Sequence, residues 1–260
     1  MIVKLDKLNL NMKMFNRTGY VHVRNFFNPK KISYEADKTI EISQKKKWKY
    51  IKVYHNIYIF NLINIFTIIF PFNKKLNQNL YKEFLKINLK DLIFKNIGWK
   101  NFKIQHVELQ HNEKYNYQST WHRDTRIANL ENIVLIIYLK DENGFRLVPK
   151  NLEKKMIKIF PFFEKKNYKK GYTRIPEKFY HNINAKAGDI LIFDAGLLHQ
   201  GFCKGKRTHL FIRCKENSNF NTIDDFLKPN ADIDNIQLIS RKFCWIYNQN
   251  YFSFKFRFKS

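Results

Sequence analysis

The chain has 260 residues, of which 44% are hydrophobic and 27% charged, and it carries a formal net charge of +26. That length suits one domain with a sizeable core. Its three cysteines (Cys203, Cys214 and Cys244) form no spacing motif and cannot all pair, so a reducing compartment, the cytoplasm, is expected.

The N-terminus, Met1-Ile-Val-Lys-Leu-Asp6, lacks the apolar core of a signal peptide. Asn28 followed by Pro29 is a helix-start signal. The apolar run Ile57 to Phe72 contains Asn61 and Asn64, ends at Pro71-Phe72 and is short for a bilayer span, so it reads as a buried helix. From Leu76 to Asn96, Leu80, Phe84 and Ile87 fall on one flank and Leu85, Leu89 and Leu92 on the other, the pattern of one amphipathic helix laid against a sheet. Asn132 to Leu139 is a β-branched strand, Asp141 to Gly144 a turn, and Phe145 to Pro149 a second strand. Ala187-Gly188-Asp189 turns into the strand Ile190 to Phe193, followed by Asp194-Ala-Gly196 and then Leu197-Leu-His199-Gln-Gly201. Glu216 to Asn235 reads as a long polar loop, and Phe252 to Phe258 as a strand with one aromatic and one basic face. There is no internal repeat and no Pro/Gly/Ser linker, so a single continuous domain is expected.

His122-Arg123-Asp124, followed much later by His199, is the sharpest chemical signal. Two imidazoles and a carboxylate in this order are the set that non-haem Fe(II) oxygenases use to hold one face of an octahedron, leaving three positions open. Residues i and i+2 of a strand share a side, so His122 and Asp124 can face a barrel interior while Arg123 faces away. The third ligand must then come from another strand. His-x-Asp alone is a weak motif. The same residues with Asn129 also fit a protein-kinase catalytic loop, but only Gly19 and Gly98 precede His122, too few for a Gly-rich loop, and Asp194-Ala-Gly196 lies too far downstream. His22, His55, His106, His111 and His181 have no partner at metal spacing and read as packing or surface residues; His209 stands two residues from Arg207.

Trp121-His-Arg-Asp124, Tyr138 to Pro149 and Ala185 to His199, in this order, resemble the phytanoyl-CoA-dioxygenase-like branch of the Fe(II)/2-oxoglutarate oxygenases. Phe15 to Arg24 looks like that family's opening strand, and the resemblance runs from about Tyr20 to Cys214. It implies a mainly β fold with flanking helices, a double-stranded β-helix (a cupin-like jelly-roll). The helical support would span about 25–97, the jelly-roll core about 99–215 and a C-terminal extension 216–260. By the same resemblance His122, Asp124 and His199 are the iron ligands. Arg207 takes the far carboxylate of 2-oxoglutarate, with Arg213 on the same strand face as the alternative, since the stretch from His199 to Arg207 is short for the branch. A guanidinium fork suits that task. Asp124 is present where halogenating relatives carry Gly or Ala, which favours hydroxylation.

The expected cofactors are therefore Fe(II) and 2-oxoglutarate, with O2 as co-substrate and a small organic molecule as substrate. An anionic substrate would fit a basic rim; Trp121, Arg126 and Arg146 are candidate lining residues. The net charge also invites a nucleic-acid or anionic-membrane partner. Lysine exceeds arginine, however, and is scattered, as an AT-biased gene would produce. Charge of that kind predicts only weak, salt-sensitive nucleic-acid binding. An arginine pair six residues apart also occurs in the nucleic-acid-dealkylating branch, which keeps that substrate as the second reading; a polyanion-binding jelly-roll without iron is the third. No transmembrane segment is expected, and no residue pattern fixes an oligomeric state.

Overall fold

In the computed structural model the described residues are 11–46, 51–53, 57–63, 74–112, 117–119, 121–124, 132–161, 174–203 and 205–216. The expected terminal strand, the polar loop beyond Glu216, Cys244, His55 and Arg126 lie outside them.

A helix over residues 11–18, α1, ends at Gly19, whose φ of +79° turns the chain into strand β1 (Tyr20–Val23). The expected opening strand from Phe15 is therefore half helix, and Phe15 packs into the core instead. Helix α2 (Lys30–Lys46) starts directly after Pro29, with Asn28 Oδ1 accepting from Lys30 N at 3.1 Å.

Two expectations are corrected here. The apolar run from Ile57 is, over its described part, a strand, β3 (Ile57–Ile63), paired antiparallel with β2 (Ile51–Val53) and β4 (Phe102–Asn112), and its remainder to Phe72 lies outside the described residues. An apolar run rich in isoleucine has no period that separates helix from strand, and its β-branched residues favour the sheet. The region 25–97 is thus not purely helical. The single helix expected over Leu76 to Asn96 is two, α3 (Lys74–Leu85) and α4 (Leu89–Ile97). Asn88 breaks them: its side chain accepts from Asp91 N at 3.0 Å and starts a new helix. Leu85 is left exposed, while Leu80, Phe84, Ile87, Leu89 and Leu92 are buried.

The remaining strands are β5 (Tyr117–Gln118), β6 (Asn132–Tyr138), β7 (Glu142–Leu147), β8 (His181–Ala185), β9 (Ile190–Asp194), β10 (His199–Gln200), β11 (Phe202–Cys203) and β12 (Arg207–Glu216). Helix α5 (Lys150–Ile159) follows β7. A seven-stranded sheet runs β1-β9-β6-β12-β4-β3-β2, facing three strands, β10-β7-β8, and the ribbon β11-β5. Every pairing is antiparallel, and apart from the β2–β3 hairpin most neighbours in space are far apart in sequence. This is a jelly-roll.

Both faces of β6 and β9 are buried, which explains their unbroken apolar runs. Ile133, Leu135, Ile137, Leu210 and Ile212 point to the helices, against Phe84, Leu89, Leu92 and Ile93. Val134, Ile136, Leu191 and Phe193 point the other way, against Phe145, Leu147, Ile183 and Leu197 of the small-sheet side. That second layer is the barrel interior. A third cluster, Trp121, Val148, Met156, Phe179, Tyr180 and Leu198, joins α5 to the outside of the small sheet.

Leu92 is fully buried where α4 meets the sheet. Leu92→Ala should lower the unfolding free energy by about 2–5 kcal/mol, read from urea denaturation with an unchanged m-value. A loss below about 1 kcal/mol would mean that the helical layer is not seated on the sheet as described.

Candidate metal centre

Residues 121–124 are not a regular strand. His122 forms an isolated antiparallel bridge with His199, each backbone N–H donating to the other's carbonyl at 2.9 Å. Asp124 N donates to Ala195 O at 2.9 Å, so the segment is stitched to the turn that precedes His199. The His122 and His199 ring centroids stand 4.4 Å apart, and Asp124 Oδ1 lies 3.9 Å from His122 Nε2. One ligand atom from each of His122, Asp124 and His199 falls within 4.8 Å of the others, a group that could hold a metal ion.

The second histidine is prepared for that role. His199 Nδ1 donates to Leu197 O at 2.9 Å, which leaves Nε2 with its lone pair for a metal. Burial first, and the neighbouring His122 second, push its imidazole down from the ordinary value to about 4, so it stays neutral at physiological pH. Phe145 stacks on its ring at 5.8 Å and Phe193 meets it edge-on at 5.1 Å, so the ring is walled in by apolar groups.

Arg123 faces away from this point, as strand parity predicts, but it is buried. Its guanidinium pairs with the buried Glu153 of α5 and donates to Gly196 O at 2.8 Å. It therefore ties the segments that carry His122 and His199 to one helix. Sequence reasoning missed this pair, because Glu153 sits in a helix that gives no sign of its partner. Close by, Asp194, fully buried, holds the turn through Gly196 N at 2.8 Å and pairs with Lys150 Nζ at 2.8 Å.

Arg207 and Arg213 both lie on β12 with interior parity, but they go to different places. Arg213 Nη2 is 2.8 Å from Asp124 Oδ2. Arg207, 5% exposed, reaches Gln110 Oε1 at 3.3 Å. His209 Nε2 lies 3.1 Å from that same oxygen, while His209 Nδ1 faces both Glu142 oxygens at 2.9 and 3.0 Å. Glu142 belongs to what the sequence suggests is a turn; Gly144, at φ +113°, lets β7 bulge there, with the Phe202 ring in the space a Cβ would need. Beside His209, across the β6–β12 ladder, Tyr138 is fully buried and its hydroxyl has no hydrogen-bond partner among the described residues. Burial, then Glu142, keeps its phenol proton firmly on, as a donor.

Two expected lining residues do not line the interior. Trp121 packs on Tyr180 in the outer cluster, ring centroids 5.0 Å apart. Arg146 lies on the outer face of β7, with its guanidinium over the Phe202 ring and bonded to Asn182 and Gln200. Both neighbour interior residues by one position, and the strand alternation sends them outward. His22, His111 and His181 have ordinary partners, in Asp189, Thr208 and Tyr20.

No family model matches the chain, and no curated protein matches it in sequence. Solved structures do. The epimerase SnoN, in complex with Fe3+, alpha ketoglutarate and nogalamycin RO, aligns with a TM-score of 0.58 at 13% identity, over 88% of this chain and 93% of that one. AviO1 from Streptomyces viridochromogenes aligns at 0.55 and 15%, over 82% and 97%. EctD from S. alaskensis with bound Fe aligns at 0.52 and 11%, over 82% and 78%. At such identities the likeness establishes the jelly-roll fold, shared with these enzymes, and nothing finer.

The buried pair yields one prediction. Glu153→Ala leaves the Arg123 cation buried and should cost about 3–5 kcal/mol of stability, with Arg123→Met in the same chain restoring part of it. A single-variant cost under about 1 kcal/mol in urea denaturation would contradict the clamp. His199 yields another. Its folded pKa lies below its unfolded one, so the unfolded chain takes up a proton first as pH falls. The metal-free protein should lose on the order of 3 kcal/mol between about pH 6.5 and 4 through this residue. His199→Asn should flatten that part of the stability profile; an unchanged profile would contradict a neutral, buried His199.

Proposed function

We propose that this chain is a single-domain Fe(II)- and 2-oxoglutarate-dependent oxygenase of the phytanoyl-CoA-dioxygenase-like kind, hydroxylating a small organic substrate. The observation that carries the reading is the convergence of two imidazoles and one carboxylate at one point inside a jelly-roll. Two features support the fit of these groups. The donor set of His122, Asp124 and His199 is that of a non-haem Fe(II) centre with open positions. The Tyr138 hydroxyl, buried without a partner beside the Arg207–His209–Glu142 network, is the kind of donor a buried carboxylate requires.

On this reading His122, Asp124 and His199 hold the iron. Arg207 and Tyr138 hold the far carboxylate of 2-oxoglutarate, and Gln110, His209 and Glu142 fix the guanidinium from behind. When bound, iron, O2 and 2-oxoglutarate supply the oxidising power, the co-substrate leaving as succinate and CO2 while one oxygen atom enters a substrate C–H bond. The chain's residues orient the ligands and keep water out. Phe145 and Phe193 wall His199, and the Arg123–Glu153 pair fixes the segments that carry all three ligands. Among the described residues no helix is long and apolar enough to cross a membrane.

Alanine at His122, Asp124 or His199 should sharply reduce binding of one Fe(II) per chain under anaerobic conditions. Arg207→Gln should leave iron bound and raise the 2-oxoglutarate Michaelis constant by tens-fold, since truncating a buried charged pair costs on the order of 2–5 kcal/mol. Wild-type iron affinity in all three alanine variants would refute the assignment.

A further inference from the structure

We propose that Phe202, on the outside of the barrel, is a positioning residue for the co-substrate: it holds the bulge at Gly144 that turns Glu142 inward, behind Arg207. The inference rests on the 2-oxoglutarate site proposed above.

Strand parity makes the bulge necessary. Glu142 and Phe145 stand three positions apart on β7, an odd spacing that puts residues of a regular strand on opposite faces. In the folded chain both are buried on the interior side. Phe145 stacks on the His199 ring, and Glu142 meets His209 Nδ1 at 2.9 and 3.0 Å. The register accounts for this. Asn143 pairs with Asn184 and Phe145 with Ile183, so Gly144 is an extra residue on β7. Removing the bulge would shift one end of β7 by one residue, and a shift of one exchanges interior and exterior positions. The end that gives way is the one carrying Glu142. Arg146 and Leu147 are paired on both sides, with β8 and β10, whereas Glu142 and Asn143 are paired with β8 alone.

What holds the extra residue lies on the outer face. Gly144 has a φ of +113°, and a Cβ there would overlap the Phe202 ring, so the ring fills the hollow beside the bulge. Phe202 is itself held from two sides. Its strand β11 is paired with β5, and Gly201 N donates to Ser119 Oγ at 2.9 Å. Over the half-buried ring lies the Arg146 guanidinium, its carbon 3.7 Å from the centroid. That guanidinium donates to Asn182 Oδ1 at 3.0 Å on β8 and to Gln200 Oε1 at 3.1 Å on β10, so it is stretched across the whole small sheet. From the surface inward, the ring sets Gly144, the bulge aims Glu142, Glu142 holds His209, and His209 and Arg207 meet at Gln110 Oε1. Loss of the ring therefore disorders the residues behind Arg207. The backbone bridge between His122 and His199 is a separate contact and stays.

The test uses the full chain loaded with Co(II), with metal affinity from calorimetry and 2-oxo acid affinity from the Co(II) absorption bands. Pyruvate, a 2-oxo acid without a far carboxylate, is the comparison. Phe202→Ala should keep wild-type affinity for Co(II) and pyruvate and lose about tenfold or more for 2-oxoglutarate. Phe202→Tyr, which keeps the ring, should bind 2-oxoglutarate like wild type. Because Phe202 acts through Glu142, Phe202→Ala should add almost nothing to the effect of Glu142→Ala in the same chain. Arg146→Met leaves the ring in place without its cation and should lose about threefold for 2-oxoglutarate alone; it lies on the outer face and keeps the test open where Phe202→Ala fails to fold. Wild-type 2-oxoglutarate affinity in Phe202→Ala, or in Arg146→Met, would overturn the proposal. So would equal losses for Co(II), pyruvate and 2-oxoglutarate, which mark general damage, or additive effects of the Phe202 and Glu142 substitutions. Wild-type 2-oxoglutarate affinity in Arg207→Gln, or a wild-type chain that does not bind Co(II), would instead refute the site proposed above, an outcome distinct from all of these.

Discussion

The reciprocal hydrogen bonds between the backbones of His122 and His199 are the contact on which the site depends. They set two segments, remote in sequence, side by side with the rings of His122 and His199 4.4 Å apart. A metal site assembled from mobile side chains would have to offset their ordering entropy on binding. Here the backbone has already ordered them, and the remaining freedom is confined to side-chain torsions. The bridge holds because it continues outward: Asp124 N to Ala195 O on one side, Ser119 N to Gly201 O on the other.

Around this bridge, charge is arranged in two separate sets. Outside the barrel wall, the buried Arg123–Glu153 pair and the half-buried Lys150–Asp194 pair clamp the loops, their worth being geometric fixity more than net stability. Inside, Arg213 goes to Asp124 and Arg207 joins Gln110, His209 and Glu142. The two interior arginines, equivalent by sequence parity, are thus divided in the folded chain, one beside the Asp124 carboxylate and one beside Tyr138. A cation was chosen twice on one strand face for two different tasks.

The legible part of the fold came from strong local patterns. The β6 and β9 runs and the Asn28-Pro29 helix start each follow from residue type and short spacing. The rest depended on partners the sequence does not name. Ile57 to Ile63 reads as a buried helix because a short, largely apolar run has no period that separates helix from strand. Asn88 sits within an apparently continuous helical pattern, and only its capping bond to Asp91 N reveals the break. Glu142 resembles a turn residue until Gly144 and the Phe202 ring show that the strand bulges and buries it. Arg123 and Arg146 are both basic residues next to interior positions, yet one is a buried clamp and the other lies over an outer aromatic ring.

The most direct test of the metal centre is anomalous X-ray diffraction from crystals of the chain loaded anaerobically with Fe(II). The account predicts one iron peak enclosed by His122 Nε2, His199 Nε2 and a carboxylate oxygen of Asp124. An iron peak elsewhere, or none within reach of these three residues at full metal loading, would contradict it.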